Sequence, residues 1–249
     1  MPPPRTPTLD CGGTASFRLR RPQRVRIALF ITCIGDAVRP EVGRATVAVL
    51  ERLGHEVSFP AEQTCCGQMH INSGHRTEGE RLAERVAEIF ADAELIVSPS
   101  SSCVGTLRER CPQLRGRLYE LSELLVERLG VSELGAVFPH RVAYHPTCHS
   151  LRVTQVGDAP LRLLRAVGGL ELVELARAGE CCGFGGTFAL KNAETSTAMV
   201  ADKCAAIVAS GASVVTALDS SCLLQIGGRL ARERAGVRTL HLAEILAHA

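Results

Sequence analysis

The sequence contains no tryptophan and only two tyrosines among its 249 residues. Basic residues are not interleaved with aromatic ones, and the formal net charge is +2, so a nucleic-acid surface has little support. No apolar stretch approaches the length of a membrane-spanning helix, and the N-terminus lacks the apolar core of a secretory signal. These absences predict a cytoplasmic protein with no nucleic-acid partner and no transmembrane segment.

Two common cofactor motifs are also absent from the sequence. The segment Gly183-Phe184-Gly185-Gly186 matches neither G-x-G-x-x-G nor a loop that ends in GK[ST], so it does not indicate nucleotide binding. The C-x₂-C-x₂-C-x₃-C-P run of bacterial ferredoxins does not occur either. These glycines are instead suited to wrapping the backbone tightly around the cysteine pair that precedes them.

Cysteine is the residue type that stands out, with eleven in the chain. In a chain without an export signal the compartment is reducing, so cysteines indicate metal ligands or redox groups rather than disulfides. Two adjacent pairs are each followed by glycine, at Cys65-Cys66-Gly67 and Cys181-Cys182-Gly183. A buried structural cysteine behaves as a small apolar residue and needs no twin, whereas a tight metal-binding turn needs both thiols and the glycine.

Each pair lies between two single cysteines, and this layout occurs twice. In the first half, 31 residues separate Cys33 from the pair and 36 separate the pair from Cys103. In the second half, 32 residues follow Cys148 and 39 precede Cys222. A purely structural role for these eight cysteines would give no reason for the same layout to occur twice. We therefore predict an internal duplication with one metal site per half. The predicted ligands are Cys33, Cys65, Cys66, Cys103, Cys148, Cys181, Cys182 and Cys222.

Short apolar runs alternate with amphipathic segments of helical periodicity, which is typical of an α/β protein. Each predicted ligand follows a predicted strand, and ligands bind at the carboxyl ends of parallel strands. The sequence therefore predicts two pseudo-repeated cysteine-rich lobes, each a small parallel sheet flanked by helices. The predicted strands are 26–32, 56–59, 94–98, 141–144, 170–175 and 213–217, with a further short strand and helix within 118–129. The predicted helices include 41–53, 78–90, 160–167 and 193–209. The predicted divisions are a disordered tail at 1–24, a first lobe at 25–130 and a second lobe at 131–249.

Four thiolates per lobe suit either zinc or a [4Fe–4S] cluster. Zinc favours two close Cys-x₂₋₄-Cys pairs, whereas here the cysteines come from three distant loops and include an adjacent pair. Adjacent cysteines fit one small ion awkwardly and fit the separated vertices of a multi-iron cluster better, which favours iron–sulfur. Cys111 and Cys204 lie on predicted helices without counterparts, and we expect core or surface roles for them; Cys11 is expected to be a solvated thiol in the tail.

Two histidines flank the first cysteine of the second half. His145 and His149 are candidates for metal ligands, proton carriers or hydrogen-bond donors to a cluster, although His145 before Pro146 fits a turn cap equally well. A nucleophilic pair of Cys148 with a histidine is a further interpretation. That interpretation leaves the other seven repeated cysteines without a role, so the metal site is favoured.

The longest informative stretches are FPAEQTCCGQ at 59–68, YHPTCH at 144–149 and CCGFGGTF at 181–188. They resemble the CCG-domain family, which includes the cysteine-rich subunit of heterodisulfide reductase and the iron–sulfur subunit of glycolate oxidase. The likeness is greatest to the lactate-utilisation protein A family, over about residues 25–247. The resemblance implies an iron–sulfur electron-transfer subunit, not catalytic alone, in a three-protein system that oxidises L-lactate to pyruvate. It also implies two partners, a ferredoxin-like iron–sulfur subunit and a third subunit.

The sequence departs from the fullest family motif at two positions. That motif ends in C-x-x-C, and Ser100 and Asp219 stand where the additional cysteines would be. A cluster with five thiolates is therefore not expected, and Asp219 becomes a candidate accessory ligand. Because some CCG domains bind zinc, the resemblance leaves zinc open as the metal of one lobe. The alternatives are a structural zinc scaffold, or the same redox role with glycolate or another 2-hydroxy acid.

Overall fold

The computed structural model describes residues 24–248. The first-half strands are β1 (Arg26–Leu29), β2 (Glu56–Ser58), β3 (Leu95–Ser98) and β4 (Leu118–Glu120). The second-half strands are β5 (Arg141–Tyr144), β6 (Glu171–Val173), β7 (Val214–Ala217) and β8 (Arg238–His241). They form two all-parallel sheets of identical topology, with strand orders β2-β1-β3-β4 and β6-β5-β7-β8. The predicted fold class is confirmed, while the predicted tail 1–24 and Cys11 lie outside the described residues, except for Arg24.

Helices connect the strands and cover both sheets. The first half contains α1 (Cys33–Val38), α2 (Pro40–Arg52), α3 (Gln68–Asn72), α4 (Arg76–Ile89), α5 (Ser101–Arg110) and α6 (Leu121–Glu123), which a π-helical segment (Leu124–Arg128) extends; a 3₁₀ turn spans Pro112–Leu114. The second half contains α7 (Cys148–Arg152), α8 (Ala159–Arg165), α9 (Phe188–Lys191), α10 (Ala193–Ala209), α11 (Ser220–Arg232) and α12 (Leu242–Ala247). Among residues 24–248, no helix combines the length and the apolar character needed to cross a membrane.

The helical periodicities predict most of the longer elements well. The predicted helix 193–209 coincides with α10, and α2 lies within one residue of its prediction and buries Val42, Ala45 and Val49. The predicted strand 26–32 is too long, because β1 ends at Leu29 and the chain soon enters α1. The sequence pattern does not indicate β8, since this edge strand is half polar and only His241 is fully buried.

Alternate strand residues face two different hydrophobic cores. Ile27 and Leu29 face a central core, whereas Ala28 and Phe30 face an outer core beneath α4 and α5. The second sheet has its own outer core beneath α10 and α11. The central core takes buried side chains from both halves, including those of α2, α6, α8 and α12. The two sheets therefore share one apolar layer between them.

The final helix of each half packs against the opposite half. Helix α12 packs on α2, and α6 with its π-helical extension packs on α8. Arg39 forms an ion pair with Glu244 at 3.0 Å, and the Arg52 guanidinium donates to the carbonyl of Leu246. The predicted division at residue 130 lies between β4 and β5 and stays a prediction, but these contacts tie the two lobes together.

Candidate metal centre

The first cysteine of each half is held at the start of a short helix. Cys33 begins α1 and Cys148 begins α7, and a threonine precedes each. The hydroxyl of Thr32 accepts from the backbone N–H of Gly35 at 3.2 Å, and that of Thr147 accepts from Ser150 at 3.2 Å. These N-caps end the extended segments that follow β1 and β5, and they fix the first turn of the helix that carries each cysteine.

The adjacent cysteine pairs lie on turns that require glycine. Gly67 has φ +83° and Gly183 has φ +82°, a left-handed conformation that strains other residues. A Cβ at Gly67 would lie 2.0 Å from the carbonyl oxygen of Gly79. The N–H of Gly67 donates to the Cys65 sulfur at 3.4 Å, and that of Gly183 donates to Cys181 at 3.3 Å. In each Cys-Cys-Gly turn, the backbone N–H of the glycine thus donates a hydrogen bond to the sulfur of the first cysteine.

The fourth cysteine of each half lies in the first turn of a longer helix. Cys103 is the third residue of α5 and Cys222 the third residue of α11. The Ser100 hydroxyl caps α5 by accepting from the Cys103 N–H at 3.4 Å. Since β3 and β7 lead directly into these helices, both thiols stand at the carboxyl edges of their sheets.

Within each half the four sulfurs form a continuous series of neighbours. The Cys66 and Cys103 sulfurs are 3.3 Å apart, and Cys65 interacts with both Cys33 and Cys66. In the second half, Cys181 interacts with Cys148 and Cys182, and Cys182 in turn interacts with Cys222. The last two thiols of each series are buried, and the first two are more accessible. The structure therefore brings together the four predicted ligands of each lobe.

All eight thiols line one cavity between the two halves. The duplicated layout predicts one group per lobe and does not predict that the two groups share a cavity. Further lining side chains come from both halves, among them Met69, Asn72, His149, Phe184 and Asp219. The arrangement places two four-thiol groups opposite each other across a common space.

Asp219 joins the halves next to this cavity. Its Oδ1 accepts from the Ser100 hydroxyl at 2.7 Å and from the Ser102 N–H at 3.0 Å, both in the first half. Its Oδ2 accepts from the Thr147 hydroxyl at 2.7 Å. Asp219 therefore contributes a capping acceptor to α5 of the other half, and both carboxylate oxygens are engaged. Its role as an accessory metal ligand stays a prediction.

Two further hydrogen bonds join the two halves, one of them between residues that line the cavity, and the sequence pattern does not predict either of them. The Gln68 Nε2 lies 2.9 Å from the Nε2 of His149, and the Ser73 hydroxyl lies 2.6 Å from that of Thr187. Gln68 also donates to the carbonyl of Ser102 at 3.2 Å. The only sequence signal for these contacts is that these residues lie in or beside the stretches that carry the family resemblance.

Crowding of the thiols shifts their proton affinities in opposite directions. Hydrogen bonds from neighbouring thiols, first Cys33 and then Cys66, lower the pKa of Cys65 to about 2. Hydrogen bonds from Cys148 and Cys182 lower the pKa of Cys181 to about 2 in the same way. The partner thiols respond inversely: the same hydrogen bonds and burial raise the pKa of Cys33 and Cys148.

The opposite pKa shifts within each group of thiols bear on whether the group suits a metal. Each group readily releases one proton, and further thiolates in the same place repel the first unless cations balance their charge. Soft thiolate donors are suited to zinc and to iron–sulfur clusters. The donor set and its charge demand therefore fit a metal centre in each half.

The two candidate histidines have different environments. His145 is 1% exposed, and burial, followed by repulsion from Lys203, lowers its pKa to about 4, so the ring is neutral. Its ring approaches the backbone of Ala178, and no other residue of 24–248 offers its nitrogens a hydrogen-bond partner. Its donor atom and the sulfurs of Cys182 and Cys222 all lie within 4.8 Å of one another. By contrast, His149 lines the cavity, with Nδ1 3.5 Å from the Cys148 sulfur.

The remaining described cysteines are buried away from the cavity. Cys111 lies in the outer core of the first half and Cys204 in that of the second. Burial raises the pKa of both thiols, that of Cys204 to about 11. Of the core or surface roles expected for them, both residues have the core role; Cys204 lies on α10 as predicted, whereas Cys111 follows the end of α5.

Comparison with known proteins agrees with the internal repeat. The profile of the CCG cysteine-rich domain matches residues 27–108 and again residues 142–227. Lactate utilization protein A of Oceanobacillus iheyensis is 43% identical over 235 residues, covering 89% of this chain and 96% of that protein. The protein of the same name from an Exiguobacterium species is 43% identical over 235 residues, covering 88% and 96%.

Among solved structures, a glutamate racemase isoform of Bacillus anthracis covers 91% of this chain and 79% of its own, with 10% identity and a TM-score of 0.40. That likeness is too weak to bear on fold or function. The sequence relatives, in contrast, confirm the resemblance that the cysteine-containing stretches indicate. The chain belongs to the CCG cysteine-rich domain family and, within it, to the family of lactate utilization protein A.

Proposed function

We propose that this protein is an iron–sulfur electron-transfer subunit of a multi-protein complex that oxidises L-lactate to pyruvate. The observation that carries the proposal is the pair of four-thiol groups that face one cavity. Each group would be one cluster site, with Cys33, Cys65, Cys66 and Cys103 as ligands in the first lobe. The ligands in the second lobe would be Cys148, Cys181, Cys182 and Cys222.

In neither group do the sulfurs form the tetrahedron that a single zinc ion needs. Four sulfurs at about 2.3 Å from a tetrahedral zinc ion lie about 3.8 Å from one another. Within residues 24–248, no three of the eight cavity sulfurs all lie within 4.8 Å of each other. The Cys66 and Cys103 sulfurs, 3.3 Å apart, would have to separate to bind different iron atoms, so the preference for a [4Fe–4S] core rests on the adjacent cysteine pairs and not on these distances.

The chemistry of the chain's own residues supports electron transfer rather than catalysis by this subunit alone. Oxidation of lactate to pyruvate releases two electrons and two protons, and a bound iron–sulfur cluster would supply one-electron acceptance. The buried thiols of each group, such as Cys66 and Cys182, would hold the centre away from solvent, and the more accessible thiols would face the cavity. The sequence carries no flavin or nicotinamide motif, so the electrons would pass to partners. We propose a ferredoxin-like iron–sulfur subunit and a third subunit, all in the cytoplasm.

The choice of lactate rests on the names of the relatives that match nearly the whole chain. Glycolate or another 2-hydroxy acid would be compatible with the same cysteine layout. The test is reduction of the assembled complex by L-lactate, D-lactate and glycolate, monitored by bleaching of the cluster absorption. Reduction by glycolate alone would overturn the assignment of lactate while leaving the redox role intact.

The metal assignment is tested on the full chain, prepared or reconstituted without oxygen, by iron, sulfide and zinc analysis with EPR. Cys66→Ser and Cys182→Ser should each lose about half of the bound iron, since each variant removes a buried ligand of one lobe. Cys111→Ser and Cys204→Ser are matched controls, because they change buried cysteines outside the cavity. A protein that stays free of iron and sulfide after reconstitution would refute the proposal.

One observation favours zinc as a second candidate in the second lobe. The His145 nitrogen and the sulfurs of Cys182 and Cys222 are close enough together for a single ion. Stoichiometric zinc without sulfide would support a structural scaffold instead of a redox subunit. A nucleophilic role for Cys148 has less support, because a hydrogen bond with Cys181 and burial raise its pKa rather than lower it. Loss of activity confined to Cys148→Ser would favour that role, and equal loss across all four positions of a lobe would favour a metal centre.

A further inference from the structure

The two lobes differ at one residue that stands directly beside the thiols. His145 and Phe30 occupy equivalent places, each three residues before the first cysteine of its half. The backbone confirms the equivalence. The N–H of Phe30 donates to Val97 in β3 at 2.8 Å, and that of His145 donates to Thr216 in β7 at 2.8 Å. A phenyl ring in one lobe is thus replaced by an imidazole in the other.

The environments of the two rings differ as their chemistry requires. Phe30 is fully buried and packs edge-to-face on Phe90, with ring centroids 5.8 Å apart, as expected for an apolar core. His145 is buried as deeply, and its ring approaches the backbone of Ala178, but no other residue of 24–248 offers its nitrogens a hydrogen-bond partner. One ring nitrogen is therefore left without a protein partner, and because buried polar groups are rarely left unpaired, that nitrogen is available to bind a ligand.

The ligand lies on the side of the buried thiols. The donor atom of His145 is within 4.8 Å of the sulfurs of Cys182 and Cys222, which are themselves within that distance of each other. We propose that His145 is a ligand of the second-lobe metal centre beside Cys182 and Cys222, while the first lobe holds its centre with thiolates alone. This inference rests on the proposed function, and it makes the two centres chemically different.

The difference sets the order in which the centres accept electrons. His145 would take the place of one of the other two thiolates of the four-cysteine set, Cys148 or Cys181. A neutral imidazole in that place leaves the centre less negative, and histidine ligation raises the reduction potential of iron–sulfur centres. The second-lobe centre would therefore be reduced before the first. The Lys203 side chain lies near the same thiols, where its Nζ donates to the carbonyls of Arg177 and Ala178 at 2.9 and 3.1 Å.

The test uses the full chain loaded with iron and sulfide and prepared with either ¹⁴N- or ¹⁵N-histidine. Pulsed EPR of the reduced protein should detect a nitrogen coupling that changes with the isotope, which needs no substitution. The coupling should disappear in His145→Phe, which copies the first lobe, and in His145→Gln. It should persist in His149→Phe, the matched control that removes the other histidine of the cavity. Redox titration should show the higher of two potentials shifted downward in His145→Phe.

Several outcomes would overturn the inference. A loaded wild-type protein without a histidine coupling, or a coupling that survives in both His145 variants, would exclude His145 as a ligand. Loss of the coupling only in His149→Phe would assign it to that residue instead. These results are distinct from failure of the proposed function, which would appear earlier as a chain that takes up neither iron nor sulfide and would overturn both proposals.

Discussion

Replacing Gly67 with alanine should destabilise the protein by about 2–5 kcal/mol. The left-handed conformation at φ +83° costs an alanine about 1–2 kcal/mol. The new Cβ would also lie 2.0 Å from the Gly79 carbonyl oxygen, where real contacts stay beyond 3.0 Å. Because backbone atoms cannot rotate away, the turn and α4 must separate, and such overpacking costs about 1–3 kcal/mol.

The assay is urea unfolding of the reduced chain, followed by circular dichroism. With a slope of roughly 2 kcal/mol/M, the midpoint should fall by about 1–2.5 M. Gly183→Ala should have a smaller effect, because its nearest obstacle, the Ser196 carbonyl oxygen, lies 2.7 Å away. Gly228→Ala is the matched control: it lies inside α11 with nothing within 4 Å of the new Cβ, and it should gain about 0.5–1 kcal/mol.

Unfolding of Gly67→Ala at the wild-type midpoint, while Gly228→Ala behaves as expected, would refute this prediction. The turn would then be able to rearrange without cost, and the glycine would not be required. A destabilised Gly67→Ala should also bind less iron than wild type at saturating iron and sulfide, since the same turn positions Cys65 and Cys66. Unchanged iron binding in a clearly destabilised variant would separate the stability of the turn from its metal role.

Three further predictions concern buried polar groups. Ser100→Ala and Asp219→Asn should each destabilise the chain, with a coupling of about 1–3 kcal/mol in a double-mutant cycle, because they share one buried hydrogen bond; zero coupling would contradict this. Burial raises the pKa of Glu120 to about 8, so the folded chain retains a proton that the unfolded chain releases above its ordinary value of 4.5. The stability contributed by protonated Glu120 should therefore be complete below pH 4.5 and lost as the pH rises through about 8. The urea midpoint of wild type minus that of Glu120→Gln should fall over this pH range, and a difference that stays constant with pH would contradict the prediction. Lys203→Met should cost about 1–3 kcal/mol in urea unfolding, because two loop carbonyls lose their donor, and an unchanged midpoint would count against that role.

Much of the fold follows from local sequence patterns. The periodicity of 193–209 and the apolar run in 94–98 predict α10 and β3. The spacing of apolar residues alone indicates that one face of the helix and the whole of the strand are buried. The cysteine repeat predicts which thiols assemble, since each follows a strand that ends at one edge of a parallel sheet. Strand β8 escapes prediction because an edge strand needs few apolar residues, although its position repeats that of β4.

The shared cavity lies beyond the reach of local patterns. Ser100 and Asp219 are 119 residues apart, and their contact depends on how the two halves pack through the central core. No periodicity encodes that packing. His145 illustrates the same limit: the sequence fits a turn cap or a ligand equally, and the choice turns on whether the folded interior offers its ring a partner. Sequence patterns thus predict each half better than the relation between them.

The reciprocal seating of α12 on α2 and of α6 on α8 has a consequence for how such a protein can be divided. A fragment ending near residue 130 would leave the apolar side of its sheet bare, because the helix that covers it belongs to the other fragment. Two identical fragments, however, would offer each other that same covering helix. The tandem chain is thus equivalent to a pseudo-symmetric dimer whose two halves are covalently joined. Because the link removes the need for two subunits to associate, each half can differ in sequence from the other.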